Sequence, residues 1–253
     1  MRAPTSGVGN RPGGRVTDVI TQLNGNYEGI LWDCGDITPT LGDGTGNPEK
    51  SDDYDLINVF LANLGSPGGV YIGGDDFPQS LDAATGASAN IFKSIYITYN
   101  LTSGNAQPTY GIAPIGTGTP VGGGGQGAFA GDTWVIYGGC PSPNHFDVME
   151  PTGSSVLQST YGPSTGVNGA EISQYTGNAR VIVSGYSIAS IRDDEENGTL
   201  DRAKHLGRLW RSLGGIGPLD RPTDAPPVLV DRLEQNYPNP FNPTTTIAFS
   251  IKQ

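Results

Sequence analysis

The sequence predicts an α/β domain whose mostly parallel sheet is flanked by helices. Residues 29–34, apart from Asp33, and residues 69–74 are apolar, and the amphipathic segment 53–64 separates them. Strands that are apolar on both faces are typical of parallel sheets that helices cover on both sides. A second strand–helix unit follows late in the chain, where the apolar residues 179–185 precede an amphipathic segment that ends near Leu213.

Three helices are predicted from apolar residues that lie three and four positions apart. The first covers residues 16–24 and the second covers 53–64. The third carries its apolar residues between 200 and 210, and His205 lies there among Arg202, Lys204 and Arg208, which predicts that it is on a solvated face. Each of the two later helices would pack one face on the sheet.

The middle of the chain is rich in glycine, and residues 104–139 contain twelve. Short strands are predicted there only near 92–99, 109–115 and 132–137. The chain as a whole has 39 Gly and 20 Pro among 253 residues, which approaches a low-complexity composition. Recurring apolar blocks exclude wholesale disorder, and the lack of glycine at every third position excludes collagen.

The excess of acidic over basic residues excludes some classes of binding partner. Lys and Arg number 14 against 25 Asp and Glu, which gives a net charge of −11. Phosphate backbones and anionic membrane surfaces repel such a chain, so no nucleic-acid partner is expected. The longest apolar runs are far shorter than the ~20 residues that cross a bilayer, so no transmembrane segment is predicted.

Composition divides the chain into four segments. Residues 1–15 are predicted to be a flexible N-terminal segment, and residues 16–215 form the α/β domain. Repeated prolines mark residues 216–231 as a linker. Residues 232–253 begin a separate element.

Both ends are expected to continue into further sequence. The last element has only one predicted strand, residues 245–251, and a single strand is not stable alone. The first residues lack the apolar region of a signal peptide. The chain is therefore expected to be a fragment.

Alternating prolines and asparagines around two aromatic residues form the most ordered motif of the sequence. Its residues are Asn236, Tyr237, Pro238, Asn239, Pro240, Phe241, Asn242 and Pro243. With its flanks, over residues 233–251, the motif resembles the opening of the type IX secretion C-terminal sorting domain, type A. The resemblance implies the truncated start of a β-sandwich, the type IX secretion machinery as partner, and a bacterial protein that is secreted or held at the outer-membrane surface.

A second resemblance concerns the strand end Ile-Leu-Trp-Asp-Cys-Gly-Asp at residues 30–36, the segment 64–76 and the strand–helix unit 179–213. Over residues 27–213 the chain resembles glutamine-amidotransferase-like α/β domains of exported bacterial proteins. The resemblance implies an amidotransferase-like or flavodoxin-like sheet. Catalytic relatives carry a nucleophilic cysteine after the glycine pair, where this chain has Asp75 and Asp76. They also carry a late His-x-Glu, whereas His145 lies in Asn-His-Phe-Asp, so the catalytic triad of that family is not reproduced.

Four aspartates are predicted at the carboxyl ends of the first two strands, where open parallel sheets bind ligands. Asp33 and Asp36 end the first strand, and Asp75 and Asp76 follow the second. They either bind a hard cation or act in acid–base chemistry, with Asp75 and Asp76 as the catalytic candidates. The alternative is that they form turns and cap helices, as aspartate does routinely.

Cys140 and His145 are the other catalytic candidates, because a thiol beside a base is a nucleophile. The alternative for Cys140 is a packed thiol or a disulfide with Cys34. A packed or disulfide-bonded Cys140 is favoured over a nucleophile.

An acidic segment before the last helix follows part of a calcium-loop pattern. Asp193, Glu195, Asn197 and Asp201 occupy positions 1, 3, 5 and 9, but position 12 is Lys204, where a bidentate glutamate is needed. A solvated acidic turn is therefore favoured over a calcium site. No other cofactor is predicted.

Together these patterns predict an exported bacterial cell-surface or secreted protein whose α/β module has an unknown and non-catalytic role. The alternative is a secreted hydrolase of amidotransferase-like fold, or an accessory domain of a secreted peptidase. The sequence names no ligand for the module.

Overall fold

The computed structural model describes residues 19–35, 41–42, 53–106, 113–115, 129, 134–136, 146–161, 169–192, 201–214, 232–233 and 249–250. The chain divides into two compact units, Met1–Ile216 and Gly217–Gln253. The predicted sorting motif, residues 236–243, lies outside the described residues. In the second unit, two short strands, Arg232–Leu233 and Phe249–Ser250, pair antiparallel.

Helices and strands alternate in the first part of the larger unit. Its helices are α1 (Asp53–Ala62), α2 (Phe77–Ala83), α3 (Ala87–Ile95) and α4 (Asp201–Ser212), with a π-helix at Ile20–Asn24 and a 3₁₀ turn at Ile188–Ser190. Its strands are β1 (Gly29–Asp33), β2 (Gly68–Gly73), β3 (Tyr99–Ala106), β4 (Ala113–Ile115), β5 (Trp134–Ile136), β6 (Phe146–Pro151), β7 (Val156–Thr160), β8 (Gly169–Thr176), β9 (Ala179–Ser184) and β10 (Ile191–Arg192).

The main sheet is mixed, with the order β1-β2-β9-β8-β6-β3 and with β7 paired to β8. Strands β1, β2 and β9 run parallel, as predicted from their continuous apolar segments. The other neighbours, β8, β6, β3 and β7, pair antiparallel. A smaller antiparallel sheet has the order β10-β5-β4. The described residues thus form an α/β fold with a mixed sheet flanked by helices.

Each face of the parallel strands has its own core. Val70 and Ile72 of β2 face one side, and Tyr71 between them faces the other. Side chains of α1, α2 and α3 cover the first face, including Phe60, Leu81 and Phe92. The second face is covered by α4 and the smaller sheet, through Leu209, Leu213, Trp134 and Ile136. Burial on both faces explains why the strand is apolar throughout.

The prediction of a strand near residues 92–99 is wrong, because residues 87–95 form the helix α3. The buried residues Ala89, Phe92 and Tyr96 lie three and four positions apart, which is helical spacing. Ile91 and Ile95 are 45% and 44% exposed on the opposite side. Their β-branched side chains give the segment its strand-like composition, although the helix leaves them outside the core.

The other predicted elements have mixed outcomes. The strands near 109–115 and 132–137 correspond to β4 and β5, and the described part of the helix predicted over 16–24 is a π-helix with Val19 before it. The sequence patterns missed α2, β3, β6, β7, β8 and β10. No described helix is both long enough and apolar enough to cross a membrane.

Gly69 lets β2 and β9 approach closely. It pairs with Arg180 in the parallel register, and a Cβ atom added at Gly69 would overlap the carbonyl oxygen of Arg180. The overlap involves backbone on both strands, so a side-chain rotation cannot relieve it. A residue without a side chain is therefore required at this position.

We predict that Gly69→Ala lowers the free energy of unfolding by about 3 kcal/mol, because β2 and β9 must separate to admit the methyl group. Gly65→Ala is the matched control, since an added Cβ atom there meets nothing within 4 Å. Its effect should stay within about 0.5 kcal/mol. Urea unfolding of both variants measures the difference, and equal stability of the two would contradict the close approach of the strands.

Candidate functional site

The candidate site lies where the three parallel strands end. Asp33 is the last residue of β1, Asp75 follows β2, and Ser187 follows β9. Parallel strands bring their carboxyl ends to one edge of the sheet, which is the usual position of a ligand site. The sequence prediction placed Asp33 and Asp75 together, and hydrogen bonds to Ser187 join them.

Asp33 accepts hydrogen bonds from three donor groups, which belong to the two loops that follow β1 and β9. Its Oδ2 accepts from the Ser187 hydroxyl at 2.8 Å and from the Ala189 amide at 3.4 Å. Its Oδ1 accepts from the Gly35 amide at 3.3 Å. The Ser187 hydroxyl in turn accepts from the Ala189 amide at 3.1 Å and so begins the 3₁₀ turn. The carboxylate therefore holds the loop after β9 against the end of β1.

Asp75 is almost entirely buried, with 1% of its surface exposed. Its Oδ1 accepts from the Ser187 amide at 3.0 Å, and its own amide donates to the Gly35 carbonyl at 2.9 Å. A buried carboxylate that accepts a backbone N–H satisfies a group that would otherwise lose its hydrogen bond to water. Asp75 thus connects the ends of all three parallel strands.

Asp147 of β6 adds a third carboxylate contact close to this edge. Its Oδ2 accepts from the Gln79 amide at 2.7 Å, in the first turn of α2. A negative charge there stabilises the helix because the first amides of a helix have no partners within it. Asp76 precedes α2 at the N-cap position, but its side chain makes no capping hydrogen bond. The cap comes instead from a strand 68 residues away.

The remaining predicted residues are mostly outside the described part of the chain. They are Asp36, Cys140, His145, Asp193, Glu195 and Asn197. Asp201 is described: it begins α4 and is buried. Among the described residues, no three His, Cys, Asp or Glu side chains form a group that could hold a metal ion. The calcium loop and the catalytic pairing of Cys140 with His145 stay predictions.

Cys34 is buried beside the same edge. Its backbone amide donates to the Gly73 carbonyl at 2.6 Å, and an added Cβ atom at Gly74 would lie 2.6 Å from the Cys34 Cβ. Cys34 therefore packs against the glycine pair that follows β2. Because Cys140 lies outside the described residues, the predicted disulfide is not tested.

A second polar cluster lies inside the molecule, on the face of the sheet that α4 covers. Glu171 of β8 is fully buried, and its Oε1 lies 2.9 Å from Nε2 of His205 on α4. The other carboxylate oxygen, Oε2, accepts from the Ser159 hydroxyl at 2.6 Å. The cluster links β7, β8 and α4 through one carboxylate.

The contact with Glu171 indicates which of the two ring nitrogens of His205 carries a hydrogen. An ionised carboxylate only accepts, so we place the hydrogen on Nε2. Nδ1 is buried and has no hydrogen-bond partner among the described residues. The imidazole stacks on Phe129 with a ring-centroid distance of 4.3 Å and lies 4.8 Å from the Trp134 ring. Aromatic side chains thus pack against the imidazole.

The expectation of a solvated His205 is wrong, since the residue is only 3% exposed. His205, Leu209 and Leu213 lie four positions apart and are all buried, so they share the face of α4 that meets the sheet. That spacing was visible in the sequence. Sequence reasoning missed Glu171 because nothing in the sequence pairs a strand carboxylate with a helix 34 residues later.

Two buried tyrosines surround this cluster. Burial raises the pKa of Tyr71 well above its ordinary value of 10.0, and the charge of Glu171 adds to the rise. Burial and Glu171 raise the pKa of Tyr186 in the same way. The Tyr186 hydroxyl also accepts from Trp134 Nε1 at 3.0 Å. Both phenols are therefore neutral in the folded protein at ordinary pH.

The two clusters differ in what they can do chemically. At the strand edge, the carboxylates accept hydrogen bonds that hold loops and a helix start. In the interior, Glu171 orients an imidazole as a catalytic carboxylate does, but aromatic rings stack on that imidazole. At the strand edge, the Ser187 hydroxyl lies 2.8 Å from the carboxylate of Asp33, which is exposed.

Comparisons with known proteins give little further information. The sequence matches no protein-family model and no curated protein. Among solved structures, the chain is similar to Gan42B, a GH42 β-galactosidase from G. stearothermophilus, at 11% identity and a TM-score of 0.41. The similarity covers 83% of this chain and 23% of that chain, and a catalytic mutant of the same enzyme gives the same values. The chain thus spans about a quarter of that protein, and at this TM-score the similarity carries no functional argument.

We predict that Asp75→Ala lowers the free energy of unfolding by about 3 kcal/mol, because the buried Ser187 amide loses its acceptor. Asp82→Ala, at an exposed position of α2, is the control and should change stability by less than about 0.5 kcal/mol. Chemical denaturation measures both. A neutral Asp75→Ala would mean that this carboxylate does not hold the strand ends.

The raised tyrosine pKa values predict a loss of stability in alkali. Because the unfolded chain ionises its tyrosines near pH 10, the stabilisation is complete below pH 10 and is lost as the pH rises above it. Each such tyrosine contributes a slope of about 1.4 kcal/mol per pH unit in that range. Urea unfolding between about pH 8 and 11 should show a smaller slope for Tyr71→Phe than for the natural protein. A slope for Tyr71→Phe equal to that of the natural protein would contradict the assignment.

Proposed function

We propose that this chain is part of an exported bacterial protein that the type IX secretion machinery delivers to the cell surface or the medium. Its α/β module has a structural or accessory role and no catalysis of its own. Two independent features support the proposal, one for the destination and one for the lack of catalysis.

The destination is supported by the C-terminal motif. Residues 236–243 alternate proline and asparagine around Tyr237 and Phe241, and they match the opening of the type A sorting domain nearly throughout. Prolines restrict the backbone and the two aromatic rings supply anchors, which suits a segment that a receptor recognises. An acidic chain with few charged residues, 15% of the total, is compatible with export.

The non-catalytic role is supported by one observation at the strand edge: Asp33 and Asp75 converge on Ser187. The Asp75 carboxylate is buried against the Ser187 amide, and Asp33 accepts from the Ser187 hydroxyl. A general base needs an accessible lone pair, which the buried Asp75 lacks, and the exposed Asp33 already accepts from Ser187 and Ala189. Carboxylates that hold loops by hydrogen bonds instead give this edge a fixed shape.

An amidotransferase-like or flavodoxin-like arrangement is part of the proposal. The parallel order β1-β2-β9, with α1 between β1 and β2 in the chain, is compatible with it. In this arrangement Gly74 and Asp75 take the position where catalytic relatives carry a cysteine nucleophile. The module would then be a relative that has exchanged the nucleophile for a buried structural carboxylate.

A secreted hydrolase is the alternative function, and the Glu171–His205 pair is the observation that favours it. A carboxylate that orients an imidazole recurs in hydrolases of unrelated folds. In this chain, however, Phe129 and Trp134 pack on the imidazole, so a substrate would have to displace them. An accessory domain of a secreted peptidase needs no such displacement and agrees with the proposed role.

The proposal is tested by following the natural protein in its own bacterium. Replacing Tyr237 and Phe241 by alanine should leave most of the protein in the periplasm, because the sorting motif loses both aromatic anchors. Immunoblots of the periplasm, the cell surface and the medium measure the distribution. Replacing Pro226 and Pro227 by alanine, in the predicted linker, is the matched control and should not change it.

Two results would overturn this proposal. One is a double variant at Tyr237 and Phe241 that reaches the surface as the natural protein does. The other is natural protein that stays in the cytoplasm. Surface delivery accompanied by hydrolysis that is lost in His205→Ala would instead favour the alternative function.

A further inference from the structure

The strand β1 lies at one end of the main sheet that the described residues form. Among the described residues it pairs on one side only, with β2. Leu31 at its centre is 42% exposed, and Tyr27 just before it is 59% exposed. A strand at a sheet edge presents unpaired N–H and C=O groups to any strand that can align with it.

The two ends of the sheet differ in how they are protected. At the far end, the register of β3 against β6 shifts twice, between Leu101 and Ser103 and between Ser103 and Ala106. Such irregularities prevent a further strand from pairing. By contrast, β1 keeps an unbroken register of five residues with β2 and contains no proline, lysine or bulge. Among the described residues, the β1 edge therefore has only the charge of Asp33, at its end, to oppose pairing with another strand.

The sequence of β1, Gly-Ile-Leu-Trp-Asp, is complementary to itself in an antiparallel pair. If Leu31 lies opposite Leu31 of a second copy, Trp32 lies opposite Ile30 on both sides of the two-fold axis. Pairs of an aromatic and a β-branched residue stabilise antiparallel strands. Trp32 and Ile30 also share the face of the sheet that packs against the larger core.

Charges do not oppose this register. Asp33 would lie opposite Gly29, and Glu28 opposite Cys34, so no two like charges face each other directly. Gly29 has no side chain, and the Trp210 ring of α4 lies over it, 3.1 Å from an ideal Cβ position. The ring extends the apolar surface beside Leu31 on the same face.

We propose that β1 pairs antiparallel with β1 of a second copy of this chain, and so joins the two sheets into one. The two-fold register centres on Leu31. Because each copy carries a net charge of −11, the pair forms more tightly when salt screens the repulsion between copies.

The mass of the full chain in solution tests the dimer. Light scattering after size-exclusion chromatography should give twice the 26.4 kDa of one chain. Leu31→Lys should give the mass of one chain, because it places two ammonium groups opposite each other at the two-fold axis. Ile91→Lys, at an equally exposed position on α3, should remain a dimer.

Thermal unfolding of both lysine variants shows whether each remains folded. Sedimentation at low and high salt adds a second readout, and the dimer fraction should rise with salt. A single-chain mass for the natural protein at both salt concentrations would overturn the proposal. A folded Leu31→Lys that stays dimeric would do the same, since the contact would then lie elsewhere.

Discussion

Ser187 is the point on which the parallel part of the sheet depends. Its amide donates to Asp75 after β2, its hydroxyl donates to Asp33 at the end of β1, and the residue itself follows β9. Three strands that lie far apart in sequence are thereby joined at one edge. Because Asp75 is buried, its hydrogen bond to the Ser187 amide is costly to lose and is shielded from water. This single serine explains how two carboxylates at a position typical of ligand sites hold the strand ends together.

The two faces of the sheet are stabilised by different means. The face under α1, α2 and α3 is an apolar core, where burial of large side chains such as Phe60 and Phe92 supplies the stabilisation. The face under α4 contains a buried polar cluster, in which Glu171 accepts from Ser159 and pairs with His205. A buried carboxylate is tolerable only when it is hydrogen-bonded, so α4 must bring His205 to a defined place. The cluster therefore fixes the position of the helix.

The elements that sequence reasoning predicted are those with a local apolar pattern. Strands β1, β2 and β9 and helices α1 and α4 were visible because their residues recur at strand or helix spacing. The polar contacts were not visible, since Ser187 lies 154 residues from Asp33 and 112 from Asp75. Asp33 and Asp75 were predicted to share an edge because parallel strands place their ends together. The prediction of a solvated His205 was wrong because it relied on the polarity of the side chain. Its position four residues before the apolar Leu209 places it on the buried face of the helix.

Hydrogen exchange at the Ser187 amide tests the central claim most directly, because that N–H donates to Asp75. If the carboxylate holds the loop, this amide exchanges only when the whole domain unfolds, at the rate of the core amides of β9. An amide that exchanges as fast as those of exposed turns would contradict the account. In that case Asp75 would be available at the strand edge for a ligand or a reaction.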